Sequence, residues 1–372
     1  MRKKALNYTY LSEKHAGGKD QAGLNLLQGF QDLHVTDHFF VICFDYLEKY
    51  IREIAPDMEI CILKSHLQMN ELTRMFYLSY VNTVKIPALL KQKDAAAVFH
   101  LNCNNGLRKF KIPSVVIPYD IKAVAHRVLG KVKIPWYKYY LYRIMYRMDF
   151  SHADCIIAMS DFDKAEMVQY YPRYQKKIRR IYIPIRIEMK KAVKAKKPYI
   201  TALNIQFHHK NTITLIRAFE RVYQQIPHDL YLIGCVPERM RYLQEYIKEH
   251  PMGGRVHFTG FVTDEERDKL FLGSDLYVNP TLYEGFGMTA VEAIMQKVPT
   301  LVSNVASNYE VTMGLCSYYE PADSEEVLAA ALLKCLLQKQ SDEMLELYSK
   351  KMQTQYDYLR ISREYLELFQ DL

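Results

Sequence analysis

The chain has 372 residues, and at about 150 residues per domain this length predicts two or three domains, each large enough for its own core. Hydrophobic residues make up 49% and charged residues 25%, which excludes a largely disordered, collagen-like or coiled-coil chain. The 50 basic and 42 acidic residues leave a net charge of +8, which favours an anionic ligand or surface without identifying it.

Through residues 1–184, short apolar segments alternate with longer helical patterns. This alternation predicts βα units and a mostly parallel sheet, forming an amino-terminal Rossmann-like domain. A helix is predicted at 21–33. Strands are predicted at 5–11, 38–44, 58–63, 96–101, 114–117 and 155–159.

Two adjacent glycines, Gly17 and Gly18, stand between the first predicted strand and the first predicted helix. Without a Cβ their backbone amides can approach a phosphate closely. An ordinary βα turn is the alternative. His15 and Lys19 flank the glycines, so both are candidates for contact with an acceptor or a phosphate, or they are simply solvated.

The segment 126–150 is rich in basic and aromatic residues. Aromatic rings combined with long cationic side chains suit an anionic membrane surface that carries a lipid-linked acceptor. The alternative is an amphipathic helix packed on the first domain. Nucleic acid is not an expected partner, because no helix-turn-helix, RNP or zinc pattern accompanies the charge.

A lysine-rich segment at 185–197 reads as a linker. A second βα series follows at 198–340, with a predicted helix at 211–226. A helical tail at 341–372 can dock back on either domain. Ligands of open α/β sheets bind at the carboxyl ends of the strands, so a cleft between two such domains is the expected site. Strands of the second series are predicted at 199–204, 230–235, 255–259, 276–279, 300–303 and 317–320.

The densest chemical signal lies at 275–310, where a short strand runs through a glycine-containing loop into a helix. Glu284 lies in the loop, and Glu292 follows eight positions later within the helix. Both carboxylates can face one pocket, where they would accept hydrogen bonds from the vicinal hydroxyls of a sugar or a ribose. The alternative is that Glu284 caps the helix and Glu292 makes a surface ion pair.

The segment from Pro280 to Val311 resembles the donor site of glycosyltransferase family 4, whose members have the GT-B fold and retain anomeric configuration. Further similar segments are 153–160, 209–219 and 256–266. The resemblance is strong over 199–337 and weaker over 1–184. It implies two doubly wound, Rossmann-like α/β domains that face a cleft, with residues 1–184 on the acceptor side and residues 198–340 binding the nucleotide sugar.

The resemblance also implies residue roles at the donor site. Glu284 would contact the donor sugar, and Glu292 would hold the ribose hydroxyls. Lys210 would neutralise the leaving diphosphate, so Glu284 and Lys210 are the catalytic candidates. The remaining donor-binding candidates would act through backbone amides and are Gly17, Gly18, Gly285, Phe286 and Gly287.

No metal and no cofactor are expected, because the resemblance implies that lysine and helix amides neutralise the diphosphate. The sequence Asp161-Phe162-Asp163 superficially matches a D-x-D metal motif. It follows a predicted strand at the start of a helix, so helix capping is the favoured role for these carboxylates.

Two departures from the family pattern stand out. The chain reads Pro118-Tyr119-Asp120 where many relatives have His-Asp, so Tyr119 and Asp120 are only candidate contacts of the acceptor or the sugar. It reads Leu203-Asn204 where many have Gly-Arg, so Asn204 becomes a candidate donor contact and one cation is lost. His208, His209 or Lys19 would compensate for that cation, or Lys210 and the amides carry the phosphate alone.

The seven cysteines are scattered singly without metal or redox spacing, which indicates reduced thiols. No signal-peptide pattern and no spanning apolar stretch is present, so a cytoplasmic protein, able to lie on the inner face of a membrane, is expected.

The expected activity is retaining transfer of a hexose from a nucleotide-diphosphate sugar to a glycan or lipid-linked acceptor in surface polysaccharide, lipopolysaccharide or glycolipid synthesis. The alternative is a non-catalytic sugar-nucleotide-binding relative or partner subunit.

Overall fold

The computed structural model describes residues 2–13, 17–65, 71–103, 105–128, 135–190 and 195–371, with only the backbone at 71, 72, 75 and 126–128. The chain divides into two compact units. The first comprises the described residues of 1–129, 133–186 and 356–371, and the second those of 187–355.

The first unit contains a seven-stranded sheet among its described residues, in the order β3-β2-β1-β4-β5-β6-β7. Every pair of neighbouring strands is parallel. The sequence missed β7, because its three residues include only one apolar side chain and give no strand periodicity. The strands are β1 Lys4–Asn7, β2 Phe39–Phe44, β3 Glu59–Leu63, β4 Val98–His100, β5 Ser114–Val116, β6 Cys155–Ala158 and β7 Ile178–Arg180.

Helices follow the strands of the first unit, as expected for parallel βα units. A π-helical turn at Val81–Lys85 joins two of them, and a 3₁₀ turn at Pro172–Lys177 precedes β7. The helices are α1 Gly18–Asp32, α2 Glu48–Ile54, α3 Glu71–Tyr80, α4 Ile86–Gln92, α5 Lys122–Val128, α6 Trp136–His152 and α7 Asp161–Tyr170.

The second unit contains a six-stranded parallel sheet among its described residues, in the order β10-β9-β8-β11-β12-β13. The predicted strands of this half are all present; two have the predicted bounds and the other four have ends shifted by one or two residues. They are β8 Tyr199–Leu203, β9 Asp229–Ile233, β10 Val256–Phe258, β11 Leu276–Asn279, β12 Thr300–Ser303 and β13 Ser317–Tyr319.

The helices of the second unit cover both faces of its sheet. In α8 the buried residues Ile216, Phe219 and Val222 recur every third position and pack against the apolar side chains of β8 and β9. The helices are α8 Thr212–Val222, α9 Tyr242–Glu249, α10 Asp264–Leu272, α11 Met288–Met295, α12 Asn308–Val311, α13 Glu325–Leu337 and α14 Asp342–Gln355.

The predicted helical tail is two helices that belong to different units. Helix α14 packs in the second unit, where the Ser349 hydroxyl bonds the Met295 carbonyl. Helix α15, Tyr358–Gln370, packs on the first unit instead. The Phe369 ring lies 5.5 Å from the rings of Phe39 and Phe99, so the carboxyl-terminal helix completes the core of the amino-terminal unit.

Each sheet changes direction of strand order at one place, between β1 and β4 in the first unit and between β8 and β11 in the second. The loops that leave these neighbouring strands diverge, which opens a crevice at the carboxyl edge of the sheet. In the second unit these loops are 204–211 and 280–287. They contain most of the residues that the sequence predicts for donor binding.

Among the described residues no helix is both long enough and apolar enough to cross a bilayer.

Candidate active site

The loop that leaves β11 is fixed by hydrogen bonds to its own backbone and to the strand beside it. The Thr281 hydroxyl lies 2.9 Å from the Tyr283 carbonyl, and the Ser303 hydroxyl donates to the Thr281 carbonyl over 2.5 Å. Tyr283 is almost fully buried. The loop therefore has one well-defined path before it enters α11.

The loop that leaves β8 is tied to the β11 loop through its backbone. The Leu282 amide donates to the His209 carbonyl over 2.7 Å, and the Thr281 hydroxyl lies 3.0 Å from the same oxygen. Residues 208–210 form a 3₁₀ turn at this point. These bonds bring Lys210 next to the β11 loop across the place where the strand order reverses.

Lys210 and Glu284, the two predicted catalytic residues, form an ion pair. Their side chains are only 11% and 13% exposed. A charge at this depth is costly to leave without a partner, so each side chain stabilises the other. A ligand that engages one of them must therefore also satisfy the other.

Gly287 forms the transition from the loop into α11 and has a φ of +85°. A Cβ at this position would lie 3.2 Å from the Asn308 Oδ1 atom, so glycine is favoured by both backbone conformation and space. Helix α11 then begins at Met288, and its first amides point toward the loop. The buried residues Gly285 and Phe286 precede this helix start.

Glu292 is half-buried in α11, and burial raises the pKa of its carboxyl to about 7. The nearby Arg267 lowers this pKa and the nearby Asp268 raises it. Arg267 lies in α10 and also bonds Asp264 and Asp268, at 2.8 and 2.7 Å. Glu292 is therefore held in a weakly polar environment with a cation close enough to stabilise its charged form.

The two predicted carboxylates act on one buried tyrosine. Burial raises the pKa of the Tyr277 hydroxyl, and the charges of Glu284 and Glu292 raise it further. The Tyr277 hydroxyl donates to the Thr289 hydroxyl over 2.8 Å. Glu284 and Glu292 are therefore both near Tyr277 of β11.

The loop after β12 contributes residues that the sequence analysis did not single out. The Ser307 hydroxyl donates to the Glu284 carbonyl over 3.0 Å. Asn308 is fully buried, and its Nδ2 atom donates to the Ser303 carbonyl over 2.8 Å. Its Oδ1 atom has no hydrogen-bond partner among the described residues. Both residues lie inside the segment whose similarity to the family was noted, which is the signal that could have found them.

Asn204 follows β8 with a left-handed φ of +61°, and its amide donates to the Ile233 carbonyl over 3.1 Å. Asparagine adopts this conformation more readily than most residues. Its predicted role in donor binding stays a prediction. The carbonyl of His209 is occupied by the β11 loop, whereas His208 is exposed.

In the first unit, Gly17 precedes α1 with a φ of +140° and Gly18 is the first residue of that helix. Both are exposed, as is Lys19. His15 lies outside the described residues. The glycine loop thus lies at the carboxyl edge of the first sheet, and the roles predicted for it stay predictions.

Tyr119 and Asp120 contact their own unit. The buried Tyr119 hydroxyl donates to the Lys19 carbonyl over 3.1 Å and lies 3.3 Å from the Tyr10 hydroxyl. Asp120 accepts the Lys122 amide over 3.1 Å at the start of α5. These contacts order the loops around the glycine turn, and the contact with acceptor or sugar stays a prediction.

The D-x-D sequence lies at the start of α7, but the capping residue is Ser160 rather than an aspartate. The Asp163 amide donates to the Ser160 hydroxyl over 3.0 Å, and the Asp163 carboxylate accepts the Met159 amide over 3.0 Å. No group of three histidine, cysteine or acidic side chains suited to a metal occurs in the described parts of the chain.

Residues 185–352 match the family described as Glycosyl transferases group 1. The matched residues lie almost entirely within the second unit. Among curated proteins, O-antigen chain mannosyltransferase B of Escherichia coli is 29% identical over 123 residues, which cover 32% of each chain. The chain spans less than a third of the length of the first curated relatives it matches.

Solved structures resemble the whole chain at low sequence identity. Sucrose-phosphate synthase of Thermosynechococcus elongatus has a TM-score of 0.81 and 16% identity, covering 100% of this chain and 99% of its own. HepE of Anabaena, solved with UDP-glucose, has a TM-score of 0.76 and 15% identity, covering 100% of both chains. The predicted fold, two doubly wound α/β units of the GT-B class, is confirmed.

The raised pKa of Glu292 predicts a pH-dependent contribution to stability. Between its ordinary pKa of 4.5 and about 7, the folded chain holds a proton that the unfolded chain has released. The stability that this bound proton contributes is therefore complete below pH 4.5 and is lost as the pH rises through 7. Relative to wild type, Glu292→Gln should gain about 1–3 kcal/mol in free energy of unfolding between pH 5 and pH 8.

Urea titrations at several pH values measure this difference. Glu265→Gln, which removes an exposed carboxylate from α10, is the matched control and should follow the wild-type pH profile. Parallel profiles for wild type and Glu292→Gln would contradict the assignment.

Proposed function

We propose that the chain is a retaining glycosyltransferase that moves a hexose from a nucleotide-diphosphate sugar to a glycan or lipid-linked acceptor in cell-surface polysaccharide synthesis. The observation that carries the proposal is the Lys210–Glu284 ion pair at the carboxyl edge of the second sheet. It joins a cation suited to phosphate and a carboxylate suited to sugar hydroxyls. Both lie beside the start of α11.

Departure of a nucleoside diphosphate builds negative charge on the leaving oxygen. Fixed donors aimed at that charge lower the barrier, because they need no reorganisation during the reaction. In our proposal, Lys210 supplies an ammonium, and the amides from Gly285 to the start of α11 supply dipoles. The Glu284 carboxylate accepts hydrogen bonds from the sugar, which releases Lys210 to the diphosphate.

Glu292 is proposed to hold the ribose. A carboxylate can accept hydrogen bonds from two vicinal hydroxyls. Burial raises the pKa of Glu292 to about 7 although the nearby Arg267 lowers it, so the charged form that this contact requires prevails above pH 7. The sugar and ribose contacts are thus assigned to different carboxylates at the same edge of the sheet. No metal is needed in this scheme, because the diphosphate charge is offset by Lys210 and the helix amides.

The class of donor is supported by likeness rather than by a bound ligand. HepE was solved with UDP-glucose, and the E. coli relative is a mannosyltransferase that acts on O-antigen chains. These names favour a nucleotide-linked hexose and a surface glycan for this chain.

Contact with the inner face of a membrane is also part of the proposal. Within the segment 126–150, the structure describes the side chains of helix α6, on which Trp136, Tyr137 and Tyr140 are exposed. Aromatic rings beside cations are typical of helices that lie at a lipid–water interface. A lipid-linked acceptor would be reached from such a position.

A panel of UDP- and GDP-linked hexoses, incubated with the purified chain, tests the function. We expect one donor to be hydrolysed slowly without acceptor and transferred when acceptor-containing extract is added, with the product retaining the anomeric configuration of the donor by ¹H NMR. Excess EDTA should leave the rate unchanged. Binding without turnover, even with extract, would instead favour a non-catalytic sugar-nucleotide binder, and an inverted product would refute retention.

Glu292→Ala should weaken binding of the donor nucleotide by about 1.5–3 kcal/mol, because a charge-assisted hydrogen bond is lost. Isothermal titration with the nucleoside diphosphate measures the loss directly. Glu265→Ala on α10 is the control and should bind as wild type does. Unchanged affinity in Glu292→Ala would refute the ribose contact.

Lys210→Met should lower turnover by about 100-fold, since one fixed donor to the leaving group is removed. Single-turnover transfer rates at saturating donor isolate this effect from binding. Lys269→Met, which removes an exposed lysine of α10, should retain the wild-type rate. If Lys210→Met folds normally and transfers sugar at the wild-type rate, the diphosphate assignment is wrong.

A further inference from the structure

An open cavity of about 620 Å³ lies in the first unit, between the carboxyl-terminal half of α6 and the 3₁₀ turn at Pro172–Lys177. Ile144, Met148 and Tyr174 supply its apolar lining, while Arg147, Arg173 and Lys177 supply three cations. All of these residues lie outside the candidate active site of the second unit. The cavity is large enough for a lipid headgroup.

Lys177 lies in the wall of this cavity and is bound to backbone carbonyls at the end of α6. Its ammonium donates to the carbonyls of Phe150, Ser151 and Ala153, at 3.2, 3.1 and 2.6 Å. These carbonyls belong to the last turn of α6 and to Ala153, which follows it, where the helix dipole is negative. The lysine charge offsets that end of the dipole, so an anion in the cavity does not face it.

Arg147 and Arg173 are exposed and line the same cavity. The Arg147 carbonyl accepts the Tyr174 hydroxyl over 3.2 Å, which joins α6 to the 3₁₀ turn and leaves the Arg147 guanidinium outside this contact. Two guanidinium groups on adjoining elements match the oxygens of a phosphate, which they can bind bidentately.

Helix α6 and the 3₁₀ turn together contain six basic residues and one acidic residue. The acidic residue, Asp149, is buried and accepts the Asn105 amide over 3.0 Å, and burial raises its pKa to about 7. The accessible charge of this surface is therefore positive. Its six basic residues are Lys138, Arg143, Arg147, Arg173, Lys176 and Lys177.

An apolar stripe lies on the same face of α6 as Arg147. Trp136, Tyr140 and Ile144 follow at four-residue spacing, and Arg147 comes three residues after Ile144, so the four share one side of the helix. The three apolar side chains are 67%, 54% and 64% exposed. Large rings and a branched chain at this exposure favour an occupant that is apolar as well as anionic.

We propose that this cavity binds the phosphate group of an anionic phospholipid, while the Trp136–Ile144 stripe lies among the headgroups and upper acyl chains. The inference rests on the membrane contact of the proposed function and specifies its lipid. A phospholipid bilayer satisfies both halves of the surface, since its phosphates meet the arginines and its acyl boundary receives the exposed apolar side chains. A soluble phosphate satisfies only the arginines. A nucleic acid can also stack bases on Trp136 and Tyr140, but it gives the exposed Ile144 no apolar environment.

Co-sedimentation of the full chain with vesicles tests the proposal, using pure phosphatidylcholine or phosphatidylcholine with 30% phosphatidylglycerol. We expect binding to the anionic vesicles to be at least about tenfold tighter and to weaken with salt. Arg147→Glu/Arg173→Glu should lower that affinity by about tenfold or more. Trp136→Ser/Ile144→Ser should lower binding without removing its dependence on lipid charge.

The matched control is Lys49→Glu/Arg363→Glu, which makes the same change of charge at exposed sites of the first unit and should bind as wild type does. Equal binding to both vesicle types would overturn the proposal, as would a cavity variant that folds and still binds. Binding of RNA that the arginine variant loses, in the absence of vesicle binding, would assign the surface to nucleic acid instead.

Donor hydrolysis in lipid-free solution separates this inference from the proposed function. All the variants tested in the vesicle experiment should hydrolyse the donor at the wild-type rate, because the cavity lies outside the donor site. A chain that binds anionic vesicles but hydrolyses no donor would refute the function alone. An active chain that binds no vesicles would refute the lipid site and the membrane contact, and would leave the proposed sugar transfer standing.

Discussion

The ion pair between Lys210 and Glu284 is the interaction on which the candidate site depends. The two residues are 74 positions apart in sequence, and they meet because β8 and β11 are neighbours in the sheet. The hydrogen bond from Leu282 to His209 then fixes the two loops against each other. A partly buried pair of this kind is stable only while both charges are satisfied, so a ligand with phosphate and hydroxyl groups can replace each partner with its own.

Some residues around this pair hold the loops in place, and Glu292 presents a charge. Ser303, Ser307 and Asn308 bond loop backbone, whereas Glu292 is held near a cation in a place that disfavours its charge. Because folding already orders these side chains, the free-energy cost of ordering them is met when the chain folds and not when the ligand binds. The stability of the second unit and its capacity to bind are therefore linked through the same side chains.

In the first unit, different helices complete the core and form the exposed charged and aromatic surface. Its core is completed by α15 from the end of the chain, through Phe369 against Phe39 and Phe99. Its outer surface presents α6, whose aromatic and cationic side chains remain exposed. The sequence of the carboxyl-terminal helix did not assign it to this unit. An amphipathic pattern predicts that one face of a helix is buried, but it does not identify the surface that buries it.

The sequence by itself determined the alternation of strands and helices, the two parallel sheets and the loop that contains Glu284, since apolar periodicity and glycine placement are local properties. It missed β7, whose three residues carry too little periodicity, and it assigned capping of α7 to aspartates where Ser160 performs it. Only the tertiary structure decided that Lys210 pairs with Glu284, that burial raises the pKa of Glu292, and that Arg147 and Arg173 share a cavity. Those outcomes depend on which strands are neighbours and on how deeply each charge is buried, and neither property is contained in a local stretch of chain.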